Sequence, residues 1–279
     1  KVPVFFEAAV AGGIPIIKSV REAFVGNHIK SIHGIINGTS NFILTQMARH
    51  GLGYAEALAE AQRLGYAEAD PALDVNGWDA AHKAIILAWV SYGLWVRPSE
   101  VFVDGIEHVS MADMRLAERL GYAIKLLGVV RLHEDRRIEV RVQPTLIPAK
   151  HILASVNDVF NAVVVRGDIV GETLFYGSGA GQNATSSAVI ADLIDAAHNL
   201  SRHAGCQGFL PSGYYGKSIP VEETVSPYYV RLRVVDRPGV GEQRVVGVHQ
   251  DLGLAGRSAR RDDERIAVDE RGVTGCVDE

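Results

Sequence analysis

The stretch Gly65 to Leu87, GYAEADPALDVNGWDAAHKAIIL, constrains this chain more than any other. Four carboxylates (Glu68, Asp70, Asp74, Asp79) and one amine (Lys83) lie close together in it. Pro71 bars the first half from a helix interior and biases Ala69 and Asp70 toward extended geometry. The second half reads as a helix: Asn76 is a favourable N-cap, Asp79 stands at the third position, and Ala80, Ala81, Ile85, Ile86, Leu87 and Ala88 follow. Asp79 and Lys83, four apart, share one face. On spacing alone the pair is as readily an exposed ion pair worth a few tenths of a kcal/mol. Yet Lys83 opens the apolar run 84–90, where an unpaired amine would be costly. A partly desolvated lysine beside a carboxylate can give or take a proton, and surplus carboxylates can hold a substrate ammonium group.

The spacing G-Y-x-E-x-D-P-x-x-D-x4-D-x3-K, starting at Gly65, resembles the signature of homoserine dehydrogenases. Residues 2–212 resemble that family in the same order, without a large gap. The resemblance implies NAD(P)-dependent interconversion of L-aspartate 4-semialdehyde and L-homoserine, on the route to threonine, methionine and isoleucine. It implies Lys83 as general acid/base, with Asp79 orienting it or binding substrate. Glu68 would take the substrate ammonium and contact the cofactor, with Tyr66 and Asp74 in support.

Composition narrows the alternatives. A formal net charge of −5 over 279 residues gives no reason to expect nucleic acid or an anionic membrane as partner. No apolar run is long enough to span a membrane, and no signal peptide is visible. Cys206 and Cys276 form no motif, so a reducing, cytoplasmic setting is expected. The length suits one large domain or two.

Taken in order, Val2–Phe6 reads as a buried strand. By resemblance it is the end of a nucleotide-binding domain, residues 1–14, whose bulk would precede Lys1; this chain alone is therefore expected to bind NADPH poorly. The following loop, Glu7 to Lys18, can be a simple Gly12-Gly13 turn before a helix from Pro15 to Phe24. The resemblance instead implies a monovalent cation, Na+, held by Glu7 and the carbonyls of Val10, Gly12 and Ile14. Oxygen donors suit a hard cation. A strand from Ile29 to Ile36 runs into Asn37-Gly38-Thr39-Ser40, which opens a helix; free amides at such a turn can meet an anion. Thr39 or Ser40 can be the N-cap there, and the resemblance adds Gly38 and Thr39 as substrate-site residues. Helices are expected from Tyr54 to Leu64, from Asn76 to Trp95 and from Met111 to Leu120. Strands follow at Ile124–Arg131, Ile138–Val142, Asn161–Val165 and Thr173–Tyr176. The fold class is α+β, an open mixed sheet with helices on one face. The resemblance adds that this sheet, in a catalytic domain spanning 15–212, makes a homodimer or dimer of dimers.

Gly177-Ser-Gly-Ala-Gly181 precedes a helix from Ala184 to Leu200, but its spacing is not that of a dinucleotide fingerprint and no ribose-binding acid follows. The resemblance places Gly181 against the cofactor from the catalytic side, with the helix packing back on the nucleotide-binding domain. Residues 213–226 read as a linker. Residues 227–279 resemble a truncated ACT domain, the amino-acid-sensing module, beginning at Tyr228 and losing order beyond about residue 250. Two other readings stay open: a non-catalytic amino-acid-binding or dimerisation module, and a reductase acting on a different semialdehyde.

Overall fold

The computed structural model describes residues 3–202, 214–226, 229, 231–233, 259–261 and 264–266. The chain forms two compact units, residues 1–222 and 223–279.

The first unit is built on a mixed sheet whose β-branched runs alternate between two faces. Strand β1 (Ile29–Ile35) lies at its centre and pairs antiparallel with β3 (Tyr122–Leu132) and β5 (Phe160–Gly167). β3 continues through a turn at Asp135-Arg136 into β4 (Arg137–Pro148), in unbroken register from Leu132 opposite Ile138 to Tyr122 opposite Pro148. β5 returns as β6 (Gly171–Ser178). The short strands β2 (Phe102–Val103) and β7 (Lys217–Ser218) join β4 in parallel, which makes the sheet mixed. β4 runs well past the expected end at Val142. Pro144 interrupts nothing there, because β2 and β7 pair only with residues up to Val142 and β4 is a free edge beyond them.

Side chains on one face (Ile32, Leu126, Val130, Ile138, Val140, Val142, Val163, Val165) form the main core with the helices. The period of two sends Ile35, Leu127, Val129, Ala162 and Val164 to the other face, where Leu153 and Val156 cover them. The helical layer comprises α1 (Ile16–Lys18), α2 (Gly38–His50), α3 (Tyr54–Arg63), α4 (Ala72–Val75), α5 (Trp78–Tyr92) and α6 (Met111–Arg119). Helix α7 (Gln182–Arg202) follows β6. The expected α+β class holds.

Several local expectations do not. No strand forms among the described residues of Val2–Phe6; Val4 makes an isolated bridge and is 47% exposed, and Val2 lies outside the described residues. The helix expected from Pro15 to Phe24 forms over 16–23 but is α only in α1; Phe24 N–H then reaches Ser19 O and the winding widens to π geometry over Ser19–Ala23. Asn76 does not cap α5. Residues 72–75 form their own turn, α4; Gly77, at φ +87, reverses the chain and takes the N-cap place. That φ favours glycine. Asn76 still contributes, its Oδ1 accepting from Trp78 N–H at 3.1 Å. The helix stops at Tyr92 rather than Trp95, because Gly93 at φ +69 closes it.

In the second unit, β8 (Arg231–Arg233), β10 (Glu264–Ile266) and β9 (Ala259–Arg261) form a three-stranded antiparallel sheet in that order. Two of these strands fall where the sequence led us to expect no order. Most of the ACT-like stretch, Cys206 and Cys276 lie outside the described residues.

Candidate active site

The site forms where β1 runs out. Asn37, extended at φ −126, caps α2 by accepting Ser40 N–H on Oδ1 at 2.8 Å. Neither Thr39 nor Ser40 is the cap. The other end of the same carboxamide donates to Asp74 Oδ1 at 2.7 Å and to Asp79 Oδ2 at 2.8 Å. Asp79 Oδ2 also accepts from Lys83 Nζ at 2.6 Å, and that amine donates again to Ile36 O at 3.0 Å. Asn37 thus ties the Asp74 turn, the first turn of α5 and the end of β1 into one network. Ser40 Oγ adds a bond to Asp74 O at 2.8 Å.

Lys83 is therefore held rather than trailing in water; its side chain is 21% exposed. An ammonium has three donors, and two are engaged among the described residues. The third is unengaged among the described residues. Two carboxylates against one amine leave the network one negative charge in surplus, which favours a cationic ligand group nearby.

Thr39 Oγ1 donates to Tyr66 O at 2.7 Å, and the Tyr66 ring packs on Phe42 with centroids 4.9 Å apart. This fastens the Gly65–Asp70 loop to the start of α2. Gly38 allows close approach: a Cβ there would meet Val159 O at 2.9 Å. Glu68 is exposed on this loop, and among the described residues its carboxylate has no hydrogen bond or ion pair.

The structure brings together Lys83, Asp79 and Asp74, and ties Tyr66 on the adjoining loop to Thr39 at the start of α2. It does not draw the Glu68 carboxylate into the network. Sequence reasoning missed Asn37 as the hub and Ile36 O as the second acceptor. The signal for Asn37 was present: an asparagine where a strand turns into a helix is a strong N-cap type.

The Glu7 loop lies against a second region. Glu7 is 7% exposed; its Oε1 accepts Ile17 N–H at 2.8 Å and its Oε2 accepts Lys18 N–H at 2.9 Å. Burial nevertheless pushes its carboxyl above the usual range, with the two backbone bonds opposing. Asp192 adds to the upward push and Arg21 opposes it. Ala11 and Gly12 both sit in the left-handed region, at φ +55 and +50. The Glu7 carboxylate and the carbonyls of Val10, Gly12 and Ile14 are oxygen donors, the type a hard cation takes. Ile14 O is partly used, accepting Ile16 N–H at 2.7 Å.

This loop also meets the glycine turn after β6. Gly13 N–H donates to Ser178 O at 3.1 Å, and a Cβ on Gly12 would stand 2.4 Å from Gly179 O. Gly179 in turn lies on the Asn161 side chain, with a would-be Cβ 2.0 Å from its Cγ. Gly181, at φ +110, accepts Thr185 N–H at 2.9 Å and opens α7. α7 leaves Ile190, Leu193, Ile194 and Leu200 exposed. Bare glycine backbone packs over the Asn161 side chain, whose Oδ1 is a buried oxygen with no hydrogen-bond partner, an acceptor of the kind a nicotinamide carboxamide requires.

An open α+β sheet that carries a lysine–carboxylate network at the end of its central strand defines the class of domain. Comparison with known proteins makes this specific. Residues 15–194 match the homoserine dehydrogenase family. A homoserine dehydrogenase of Neisseria gonorrhoeae is 50% identical over 239 residues, covering 84% of this chain and 55% of that protein. The crystal structure of a homoserine dehydrogenase from Thiobacillus denitrificans is 48% identical with a TM-score of 0.81, covering 85% of this chain and 56% of that one. A hyperthermophilic archaeal homoserine dehydrogenase in complex with NADPH is 36% identical with a TM-score of 0.60, covering 70% of this chain and 56% of that one. The chain belongs to the homoserine dehydrogenase family. It spans a little over half the length of these relatives. No helix among the described residues is long and apolar enough to cross a membrane.

Proposed function

We propose that this chain supplies the substrate-binding and proton-transfer side of an NAD(P)-dependent homoserine dehydrogenase, acting between L-aspartate 4-semialdehyde and L-homoserine. The observation that carries the reading is the Lys83 amine, fixed by Asp79 and Ile36 O with one donor left over. The acidic surplus of Asp74 and Asp79, with Glu68 on the adjoining loop, attracts the substrate ammonium and directs the aldehyde toward Lys83. The bound nicotinamide supplies hydride to the aldehyde carbon, or takes it from the alcohol carbon in reverse. Lys83 Nζ hydrogen-bonds the carbonyl oxygen, stabilises the negative charge that grows there and gives up its proton to it. Asp79 and Ile36 O hold the amine in place meanwhile, so little reorganisation is needed at the moment of transfer. In reverse, the neutral amine accepts the alcohol proton.

Gly181 and the turn before it would face the cofactor, and Glu7, Val10, Gly12 and Ile14 would hold a Na+ ion. The exposed apolar side chains of α7 are suited to packing on a nucleotide-binding domain. In this reading residues 15–212 are the catalytic and dimerisation domain, following the end of the nucleotide-binding domain at 1–14. A non-catalytic module would gain little from a half-buried amine held with one donor unengaged. The test is aspartate-semialdehyde-dependent oxidation of NADPH by the full-length polypeptide. Turnover is expected; its absence, with NADPH and NADH both tried, refutes the reading.

A further inference from the structure

Asn161 is a polar side chain placed where none is needed for the fold. It sits on β5 and points to the helical side with Val163 and Val165, both fully buried. It faces Gly177 across the β5–β6 pair. On its other side Ile35 pairs with Ala162, so the same register brings Asn161 beside Ile36, the residue whose carbonyl holds Lys83. Asn161 is 1% exposed and its Oδ1 has no hydrogen-bond partner. Buried acceptors are almost always satisfied, and an aliphatic residue would fill this position without the desolvation cost. The neighbours are shaped around it. Any side chain at 179 would overlap its carboxamide, and Gly12 closes on Gly179 from beyond.

The geometry points to Asn161 as a cofactor-binding residue: its free Oδ1 accepts a hydrogen bond from the carboxamide N–H of the bound nicotinamide. The inference rests on the dehydrogenase reading above. An acceptor calls for a donor. The substrate ammonium is drawn elsewhere, to the carboxylates of the Asp74 and Asp79 network, whereas Asn161 lies among the glycine turns. A nicotinamide ring must come close to Lys83 for hydride and proton to reach neighbouring atoms, and Asn161 is one strand across from Ile36. Gly179 covers the oxygen, so the turn 177–181 shifts aside when the ligand enters. Three glycines in five residues leave that backbone free to do so.

The test compares NADPH with its reduced 3-acetylpyridine analogue, in which a methyl group replaces the amide NH2. Both are titrated by fluorescence against the full-length polypeptide, wild type and Asn161→Leu. Asn161→Ala, which cannot clash with Gly179, serves as the second variant. We expect each variant to bind NADPH about fivefold to tenfold more weakly, the worth of one neutral hydrogen bond. The analogue should bind wild type and variants alike, and thermal stability of Asn161→Leu should not fall, since the lost Oδ1 was unsatisfied. Equal weakening of both nucleotides, or no weakening of NADPH, overturns the inference and leaves the dehydrogenase reading standing. A wild type that binds neither nucleotide overturns both.

Discussion

Lys125 offers a prediction that does not depend on turnover. It lies on β3, 3% exposed, on the face it shares with Leu127 and Val129, among polar groups of Asn41 and of Val156 and Asn157. Its Nζ donates to Asn41 Oδ1 at 3.2 Å, to Asn157 Oδ1 at 3.2 Å and, closely, to Val156 O. None of these partners is charged. Burial lowers the amine from 10.5 to about 8, Arg49 pushes the same way and Asp158 opposes. In the unfolded chain the amine keeps its proton to about pH 10.4. Between these values the unfolded state binds more protons than the folded one, so stability rises with pH. The penalty is fully present below about pH 8 and fades toward pH 10.5. A fall to about 8 corresponds to roughly 3 kcal/mol, most of it recovered between pH 7 and pH 10. Urea unfolding followed by tryptophan fluorescence at pH 7, 8, 9 and 10 measures it, for wild type and Lys125→Met. Tyrosines and other groups titrate in both proteins and cancel in the difference. Wild type should gain on the variant by about 2–3 kcal/mol across that range. Parallel curves would show that the amine is not desolvated as described.

Gly12→Ala should lose about 2–4 kcal/mol, since its Cβ would stand 2.4 Å from Gly179 O at a φ of +50. A melting temperature within a degree or so of wild type would refute the close contact. His33, on β1, is pushed down to about 4 by burial, with Arg131, Arg141 and His151 lowering it further and Glu139 opposing. The unfolded histidine protonates near pH 6.5, so this site costs stability as pH falls from 6.5 toward 4. Relative to His33→Leu, wild type should lose roughly 1–3 kcal/mol over that window in the same urea assay; no relative loss would mean that the ring is solvated.

What the chain showed before folding was what neighbouring residues decide. Asp79 and Lys83 are four apart on a helix, so their contact at 2.6 Å follows from helical geometry. The strands of the central sheet announced themselves by their short runs of β-branched residues, and the α+β class came with them. The rest of the network was hidden by distance along the chain. Asn37 reaches Asp79 across 42 positions and Lys83 reaches Ile36 across 47, and no periodicity encodes such pairs. Boundaries failed where two local preferences competed. Asn76 and Gly77 are both able to start α5, and the left-handed turn at Gly77 decided between them. Val2–Phe6 is apolar enough for a strand, but a strand also needs a neighbour to pair with. Asn161 is the opposite case: in sequence it is one polar residue in a strand, and only the glycine stacked on it shows that the position is unusual.

The central claim is that one amine, clamped by Asp79 and the end of β1, moves the proton. Steady-state oxidation of NADPH by aspartate semialdehyde, with the full-length polypeptide carrying Lys83→Ala, tests it most directly. The account predicts kcat lower by about two orders of magnitude or more, with NADPH affinity unchanged. A loss of less than about threefold would contradict it.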